Sequence, residues 1–410
     1  MRFILCFILG LVWTVSAAHG SVSSLVADTR SGFILESHNA DEQRPPASLT
    51  KLMTLYLTFG ALHDGLISMD DKLPVSEHAA AQPKSKIGVI AGDTITVHEA
   101  ILALIIKSAN DVAVVVAEAL AGDEERFADL MTKTARTLGL NHTTFKNASG
   151  LHAEGQETTA RDMAVLSMAL IEHYPEYYKL FATPSFTYRG QTYMSHNAVL
   201  DQYEGAEGLK TGFVSAVGYN IVSTAKQGEN RLVSVVIGEK NPSRRDLRSM
   251  RLLDKGFRQV DIQKRAQADG SLHRAFNPLN RKAFIAKPPR DIYRPILQAG
   301  LALTRQKLRT LKPVSPPITQ IAAVSDTGPE QGDAWGIQVG AFEGQDKARR
   351  IAEEAVALLG VINKEILTPR ANNRFFRSRI VGFKNQNEAH NACRRLKNAS
   401  WQCFAVAPRT

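Results

Sequence analysis

The sequence predicts a large α/β domain followed by a small α+β domain. Strand-like and helix-like patterns alternate over residues 21–257, which is typical of a sheet covered by helices. Residues 333–410 contain an internal repeat, in which residues 341–348 match residues 382–389 at an offset of 41. Of the 410 residues, 44% are hydrophobic and 22% are charged, so both domains can form ordinary cores. This composition excludes a wholly disordered chain and a polytopic membrane protein.

The N-terminal segment has the pattern of a secretory signal peptide. Arg2 precedes an apolar run at residues 3–15, and small residues follow it. The run is shorter than the roughly 20 residues that a membrane-spanning helix needs. We therefore expect residues 1–18 to be a signal peptide, with Gly20 as the alternative last residue, and the chain to be exported. An uncleaved anchor is the other interpretation.

Turn residues and hydrophobic spacing define the elements of residues 21–257. Pro45 and Pro46 favour a helix start, because proline fits the first helical turn. Residues 227–230 separate two strand patterns and predict a hairpin turn. In order, we expect strands at 24–27 and 32–35, helices at 48–62, 96–120 (interrupted at 108–110), 127–138 and 160–172, strands at 185–189, 208–211, 218–225 and 231–237, and a helix at 244–257.

Residues 258–332 differ in composition from the rest of the chain. Residues 258–315 hold 13 basic and 3 acidic residues, and several prolines follow one another closely. This pattern predicts a basic linker with little core. Residues 294–311 could form an amphipathic helix, either solvated or docked on an anionic membrane surface. Basic stretches attract polyanions, and because an exported chain seldom meets nucleic acid, we expect envelope partners instead.

The repeat predicts the architecture of the C-terminal domain, which we assign to residues 333–410. Each copy follows a strand pattern, leads into a helix pattern and precedes another strand pattern. Two such β-α-β halves predict a small four-stranded α+β domain. Cys393 and Cys403 lie in this domain, and export would permit them to pair. Two buried free thiols are the alternative.

Three short motifs occur in order along the first domain. Residues 48–51 are S-x-x-K, residues 108–110 are S-x-N, and residues 210–212 are K-T-G. A second S-x-x-K occurs at residues 223–226, on a predicted strand. Residues three apart share a face in a helix but point to opposite faces in a strand. Only the first copy can therefore bring its serine and lysine together.

The first motif can supply a nucleophile and its base. A serine hydroxyl attacks poorly until a base removes its proton. Lys51 can be that base if burial and a neighbouring cation keep its amine neutral, and Lys210 is the candidate cation. The helix start near Ser48 carries positive potential and free backbone N–H groups, so the Ser48 N–H is a candidate oxyanion donor.

The other two motifs can bind and protonate a substrate. Ser108 is a candidate for passing a proton to a leaving group, and Asn110 for hydrogen bonding to a substrate amide. Lys210 and Thr211 on an edge strand can bind a carboxylate, and Gly212 lets a substrate backbone lie close. The histidines lack the carboxylates and spacing of a zinc site, so no metal or other cofactor is expected.

The segments around these motifs resemble a known enzyme family. Residues 44–54, 108–111, 147–151 and 208–213 are similar to segments of the low-molecular-weight penicillin-binding proteins, the serine D-Ala-D-Ala carboxypeptidases. The resemblance covers about residues 22–257. It implies the α/β (α+β) fold of penicillin-binding proteins and β-lactamase-like transpeptidases. It also implies that β-lactams inhibit the enzyme.

The same resemblance implies roles for individual residues. Ser48 would be acylated with Lys51 as its base, and the backbone N–H of Phe213 would be the second oxyanion donor. Arg245 matches the arginine that binds the terminal carboxylate of the substrate. Arg244 is the rival for this role, and an arginine on a helix surface is the simpler interpretation of Arg245.

The C-terminal domain resembles a SPOR domain, a small ferredoxin-like α+β module that binds peptidoglycan glycan strands. The similarity lies in residues 335–342 and 376–383. It implies that peptidoglycan is a partner of this domain. Gln338 and Arg379 are the candidate binding residues.

Together these features predict a periplasmic serine D-Ala-D-Ala carboxypeptidase, localised by a peptidoglycan-binding tail. Its substrates would be peptidoglycan stem peptides. A D,D-endopeptidase, a transpeptidase and a β-lactamase are alternatives with the same acyl-enzyme. A peptidoglycan-binding protein with an idle catalytic domain is the alternative from another functional class.

Overall fold

The chain forms two compact units, one up to residue 314 and one after it. The computed structural model describes residues 22–268, 279, 287–310, 334–361, 364–368, 375–398 and 403–407. The expected signal peptide therefore lies outside the described residues, as does much of the expected linker. Within these ranges, no helix is both long enough and apolar enough to cross a membrane.

The first unit contains nine strands and ten helices among its described residues. The strands are β1 Ser23–Asp28, β2 Ile34–His38, β3 Lys72–Pro74, β4 Thr94–Thr96, β5 Ser185–Tyr188, β6 Gln191–Met194, β7 Ala206–Val214, β8 Gly218–Gln227 and β9 Asn230–Glu239. The helices are α1 Lys51–His63, α2 Glu77–Ala81, α3 Val97–Leu102, α4 Asn110–Ala121, α5 Glu124–Thr137, α6 Ala160–His173, α7 Pro175–Tyr178, α8 Ala198–Gln202, α9 Pro242–Ala268 and α10 Arg290–Thr310. Two 3-10 turns, Ala47–Thr50 and Lys179–Ala182, and a π-helical turn, Ala103–Lys107, complete the regular structure.

A five-stranded antiparallel sheet forms the centre of this unit, in the order β2-β1-β9-β8-β7. Successive side chains of a strand face opposite sides of the sheet, so alternate residues pack into two separate cores. Val26 and Ile221 pack with α9, whereas Leu25 and Val222 pack in the larger core that contains α1 and α6. The expected sheet with helices on its faces is confirmed.

Helix α1 runs through the larger core. Every residue from Lys51 to Leu62 is buried, and only His63 at its end is exposed. A helix that is apolar on all sides requires neighbours on all sides. The lysine of the S-x-x-K motif, which is the first residue of α1, therefore lies in the protein interior.

Helix α10 corrects the expectation of a linker with little core. Its apolar residues Tyr293, Leu297 and Leu301 are buried in the larger core. The hydroxyl of Thr304 donates a hydrogen bond of 2.8 Å to the carbonyl of Ala119 on α4. The apolar face of this basic helix thus packs on the first unit, because α4 and α1 leave a hydrophobic surface there.

The second unit matches the expected pair of β-α-β halves. Its elements are β10 Trp335–Glu343, α11 Gln345–Leu359, β11 Glu365–Leu367, β12 Phe375–Phe383, α12 Gln386–Asn398 and β13 Phe404–Val406. The four strands are antiparallel in the order β11-β12-β10-β13, and both helices pack on the same core. Cys393 on α12 and Cys403 form a disulfide with Cα atoms 5.2 Å apart. Of the two cysteine alternatives, the structure therefore contains the pair.

An ion pair between α10 and the end of α1 predicts a measurable loss of stability. Nε of Arg290 lies 2.8 Å from a carboxylate oxygen of Asp64, whose side chain is 1% exposed. Breaking a fully buried pair costs about 3–5 kcal/mol. Because Arg290 is 45% exposed, we expect Arg290→Met to lower the free energy of unfolding by only about 1–2 kcal/mol. Urea unfolding of the full chain measures it.

The control is Arg294→Met, since Arg294 is exposed on the same helix. Adding Asp64→Asn to Arg290→Met should recover part of the loss, because the unpaired carboxylate is removed. Equal losses for Arg290→Met and Arg294→Met would contradict this account of α10.

Candidate active site

The serine of the first motif lies in the 3-10 turn that leads into α1. Lys51 is the first residue of the helix, three positions after Ser48. Its Nζ lies 3.3 Å from Oγ of Ser48 and donates a hydrogen bond to it. In the second S-x-x-K copy, on β8, Ser223 is buried while Lys226 is exposed. The argument from helical and strand periodicity is confirmed for both copies.

Close backbone packing holds the turn in place. Gly150 has a φ of +85°, and a Cβ on it would lie 1.8 Å from the carbonyl oxygen of Ala47. A Cβ on Gly212 would lie 3.1 Å from the backbone nitrogen of Ser48. The loop at residue 150 and strand β7 therefore approach the serine more closely than residues with side chains would allow.

The amine of Lys51 is fully buried among hydrogen-bond acceptors. It donates to Oδ1 of Asn110 at 2.8 Å and to the carbonyl of Ser149 at 2.5 Å. Burial, and secondly the nearby cation of Lys210, hold the pKa of Lys51 well below its usual value. The low pKa therefore favours the neutral amine, which is the form that a general base needs.

A second buried lysine lies beside the first. Lys210 on β7 is almost fully buried and donates a hydrogen bond of 2.9 Å to the carbonyl of Thr211. Burial and the charge of Arg245 lower the pKa of Lys210 to about 7. Strand β7 is the edge of the sheet, so backbone groups along Thr211, Gly212 and Phe213 are open to a substrate strand.

The structure distinguishes the two candidate arginines on α9. Arg245 is buried and its guanidinium is paired with Asp246 at 2.7 Å. The side chain of Arg244 is 62% exposed and lies 3.8 Å from Glu239. The charge of Arg245 contributes to the low pKa of Lys210, so Arg245 lies near that lysine, and its burial excludes a plain surface position.

The S-x-N motif separates the π-helical turn from α4. Ser108 has a left-handed backbone, with φ of 59°, and its buried Oγ has no hydrogen-bond partner among the described residues. Asn110 uses Oδ1 for Lys51, and its Nδ2 donates to the carbonyl of Pro83 at 3.1 Å. Oδ1 and one of the two N–H donors of the Asn110 side chain are therefore engaged within the protein.

Three residues outside the expected roles complete the site. The carbonyl of Ser149 accepts from Lys51. Nδ2 of Asn220 donates to the carbonyl of Pro46, and its Oδ1 accepts from the N–H of Gly238. A carboxylate oxygen of buried Asp111 accepts from the N–H groups of residues 88 and 89. Asp111 could have been noticed as an acid inside an apolar run, but Asn220 carries no local signal.

The candidate residues of the second unit are neighbours on its sheet. Gln338 and Arg379 are paired across β10 and β12, and Nε of Arg379 donates to Oε1 of Gln338 at 3.1 Å. Their neighbours Ile337 and Ile380 point into the helix-covered core, so this pair faces the other side. Phe404 on β13 pairs with Gln338 and is 61% exposed. Within the described part of the chain, no three potential metal ligands come together.

Comparison with known proteins identifies both units. The peptidase S11 family (D-alanyl-D-alanine carboxypeptidase) matches residues 13–241, and the SPOR domain family matches residues 331–407. The D-alanyl-D-alanine carboxypeptidase DacF of Bacillus subtilis is 36% identical over 253 residues, which are 60% of this chain and 65% of DacF. The chain thus spans less than two thirds of this relative's length.

Solved structures give the same assignment. Penicillin binding protein 5 from Haemophilus influenzae is similar with a TM-score of 0.56 and 34% identity, over 57% of this chain and 70% of that protein. Penicillin-Binding Protein D2 from Listeria monocytogenes, in an ampicillin-bound form, is similar with a TM-score of 0.51 and 33% identity, over 57% and 96% of the two chains. The expected penicillin-binding-protein fold is confirmed, and the chain belongs to the D-alanyl-D-alanine carboxypeptidase family, with a SPOR domain after its family domain.

Proposed function

We propose that the chain is an exported, periplasmic serine D-Ala-D-Ala carboxypeptidase acting on peptidoglycan stem peptides. One observation carries the proposal above all. The fully buried Lys51, whose pKa is held low, donates to the hydroxyl of Ser48 at 3.3 Å. The family assignment and the names of the relatives support the same reaction. A similar protein binds ampicillin, which supports inhibition by β-lactams.

Acylation starts with the neutral amine of Lys51. It takes the proton of Ser48 while Oγ attacks the carbonyl carbon of the penultimate D-Ala. The backbone N–H groups of Ser48 and Phe213 stabilise the oxyanion. The peptide C–N bond then breaks as the unpaired hydroxyl of Ser108 gives its proton to the leaving amine of the terminal D-Ala. Ser108 takes up in exchange the proton that Lys51 removed from Ser48, so the amine of Lys51 is neutral again before deacylation.

Binding and deacylation use the remaining residues. Lys210, Thr211 and Arg245 bind the terminal carboxylate, and Gly212 lets the substrate backbone lie along β7. After D-Ala leaves, Lys51 activates a water that attacks the acyl carbon. The C–O bond to Ser48 breaks, and the serine hydroxyl is restored.

The second unit would hold the enzyme on peptidoglycan. The SPOR assignment supports this role. Arg379, which is 9% exposed, Gln338 and the exposed Phe404 form a row across the sheet face that points away from the helices. Such a row can place hydrogen bonds and an aromatic ring against a sugar chain. Residues of this row are the proposed glycan contacts.

The first test is labelling with a fluorescent penicillin. We expect the full chain to be labelled at Ser48 and Ser48→Ala to lose the label completely, because in the described part of the chain Ser48 carries the one hydroxyl that is hydrogen-bonded to Lys51. Mass spectrometry of the labelled peptide locates the site. Ser223→Ala is the matched control, since Ser223 belongs to the second S-x-x-K copy, and it should keep the label. An unlabelled but folded wild-type protein would leave only a peptidoglycan-binding role.

The pKa shifts predict a bell-shaped profile of kcat/KM against pH. Activity should rise as Lys51 loses its proton and fall as pH passes about 7, where Lys210 loses its charge. In Arg245→Gln a positive neighbour of Lys210 is absent, so the pKa of Lys210 rises and the alkaline limb moves to higher pH. Lost carboxylate binding should also lower kcat/KM about 10- to 100-fold.

Arg244→Gln is the control for this profile, because Arg244 is exposed and pairs with Glu239 instead. Its pH profile should match that of the wild type. An alkaline limb of Arg245→Gln that stays in place or moves to lower pH would argue against the role of Lys210 as the working cation.

The tail is tested by sedimentation with purified peptidoglycan. Arg379→Ala should weaken binding about threefold to tenfold, because it removes a charged donor and leaves Gln338 without its partner. Arg349→Ala on α11, an exposed arginine away from the sheet face, should bind like the wild type. Thermal unfolding checks that both variants fold. Equal binding of all three proteins would refute the proposed face.

A further inference from the structure

A basic groove lies beside the S-x-N motif and has no part in the mechanism above. It has a volume of about 550 Å³, and three lysines line it, Lys84, Lys86 and Lys107. Tyr193 of β6 forms part of its wall. The three ammonium groups give the groove a strongly positive lining in a region whose neighbouring cleft already holds Lys210 and Arg245.

The groove is built onto the reactive centre. The N–H of Asn110 donates to the carbonyl of Ser85 at 2.7 Å, and Oγ of Ser85 donates to the carbonyl of Lys107 at 2.8 Å. Asp111 holds the next residues of the same loop through the N–H groups of residues 88 and 89. Because Lys107 directly precedes Ser108, the groove adjoins the group that protonates the leaving amine.

The charges of the groove are not neutralised within the protein. Among the described residues, no carboxylate oxygen lies within 4.0 Å of Lys84, Lys86 or Lys107. Nζ of Lys86 donates to the carbonyl of Ala80 at 3.1 Å, and Nζ of Lys107 lies 5.7 Å from the ring centre of Tyr193. Each ammonium group therefore keeps donors for a further partner.

His196 lies near cations of both the groove and the carboxylate-binding residues. Burial, and then the charges of Lys107, Lys210 and Arg245, lower the pKa of His196. One imidazole thus senses cations of both regions. Lys107 of the groove and the proposed carboxylate-binding residues Lys210 and Arg245 therefore share a neighbour.

We propose that this groove binds a second carboxylate of the peptide substrate, separate from the terminal one. The inference rests on the proposed function, because it concerns the substrate of the same site. Stem peptides carry carboxylates besides their C-terminus, and ammonium groups on flexible stems suit such point contacts. The carboxylate belongs either to the stem that acylates Ser48 or to a cross-linked stem on the leaving-group side. Both sources share the chemistry that the groove recognises.

The test compares matched peptide substrates with the full chain. An uncross-linked pentapeptide and a cross-linked peptide dimer are each used with their non-terminal carboxylates free or converted to amides. We expect kcat/KM to favour a free carboxylate about threefold to tenfold at low salt, and the preference to shrink as salt is raised. In Lys84→Gln the preference should fall towards 1, and in Lys84→Glu it should reverse. Lys133→Gln, an exposed lysine on α5, should keep the wild-type preference.

The outcomes separate the two proposals. A preference seen with the pentapeptide assigns the carboxylate to the acylating stem, and one confined to the dimer assigns it to the leaving stem. Equal turnover of acid and amide forms by the wild type, or a preference unchanged in Lys84→Glu, overturns the groove proposal and leaves the carboxypeptidase standing. A wild-type chain with neither turnover nor penicillin label overturns the proposed function itself.

Discussion

The burial of one lysine amine is the constraint on which the first unit depends. A charged ammonium is costly in a protein interior, so the core favours the deprotonated Lys51. Lys51 is the first residue of α1, and the helix that carries it is buried from Lys51 to Leu62. The sheet, α6 and α10 share the core that encloses it. The chemical competence of the site is therefore a consequence of how the core is packed.

Close backbone contacts set the geometry around Ser48. Gly150 and Gly212 let a loop and the edge strand β7 touch the turn of Ser48. Asn220 fastens the same turn to the sheet through the carbonyl of Pro46. These contacts leave little room for the nucleophile to move, so it stays beside its base and beside the strand that can receive a substrate.

Local charge, not net charge, explains how the site can bind acids. Residues 19–257 hold 23 basic and 28 acidic residues, so this region is acidic as a whole. Yet Lys107 of the groove, Lys210 and Arg245 all lie close enough to His196 for their charges to lower its pKa. The buried carboxylate of Asp111 accepts hydrogen bonds from backbone N–H groups, and its charge opposes only part of the effect of Lys210 on the pKa of Lys51.

The sequence by itself determined the reactive pair, the expected elements and the repeat. The i, i+3 spacing of Ser48 and Lys51 predicts contact in any helix, and two β-α-β patterns predict the tail's sheet. Hydrophobic periodicity shows which face of a helix is apolar, but it does not show which other element packs against that face. For this reason α10 looked like linker, and the contact of Asn110 with Lys51 was not foreseen. The choice of Arg245 over Arg244, the contact of Asn220 with Pro46 and the lysine groove were decided only by tertiary structure, because they join segments far apart in the chain.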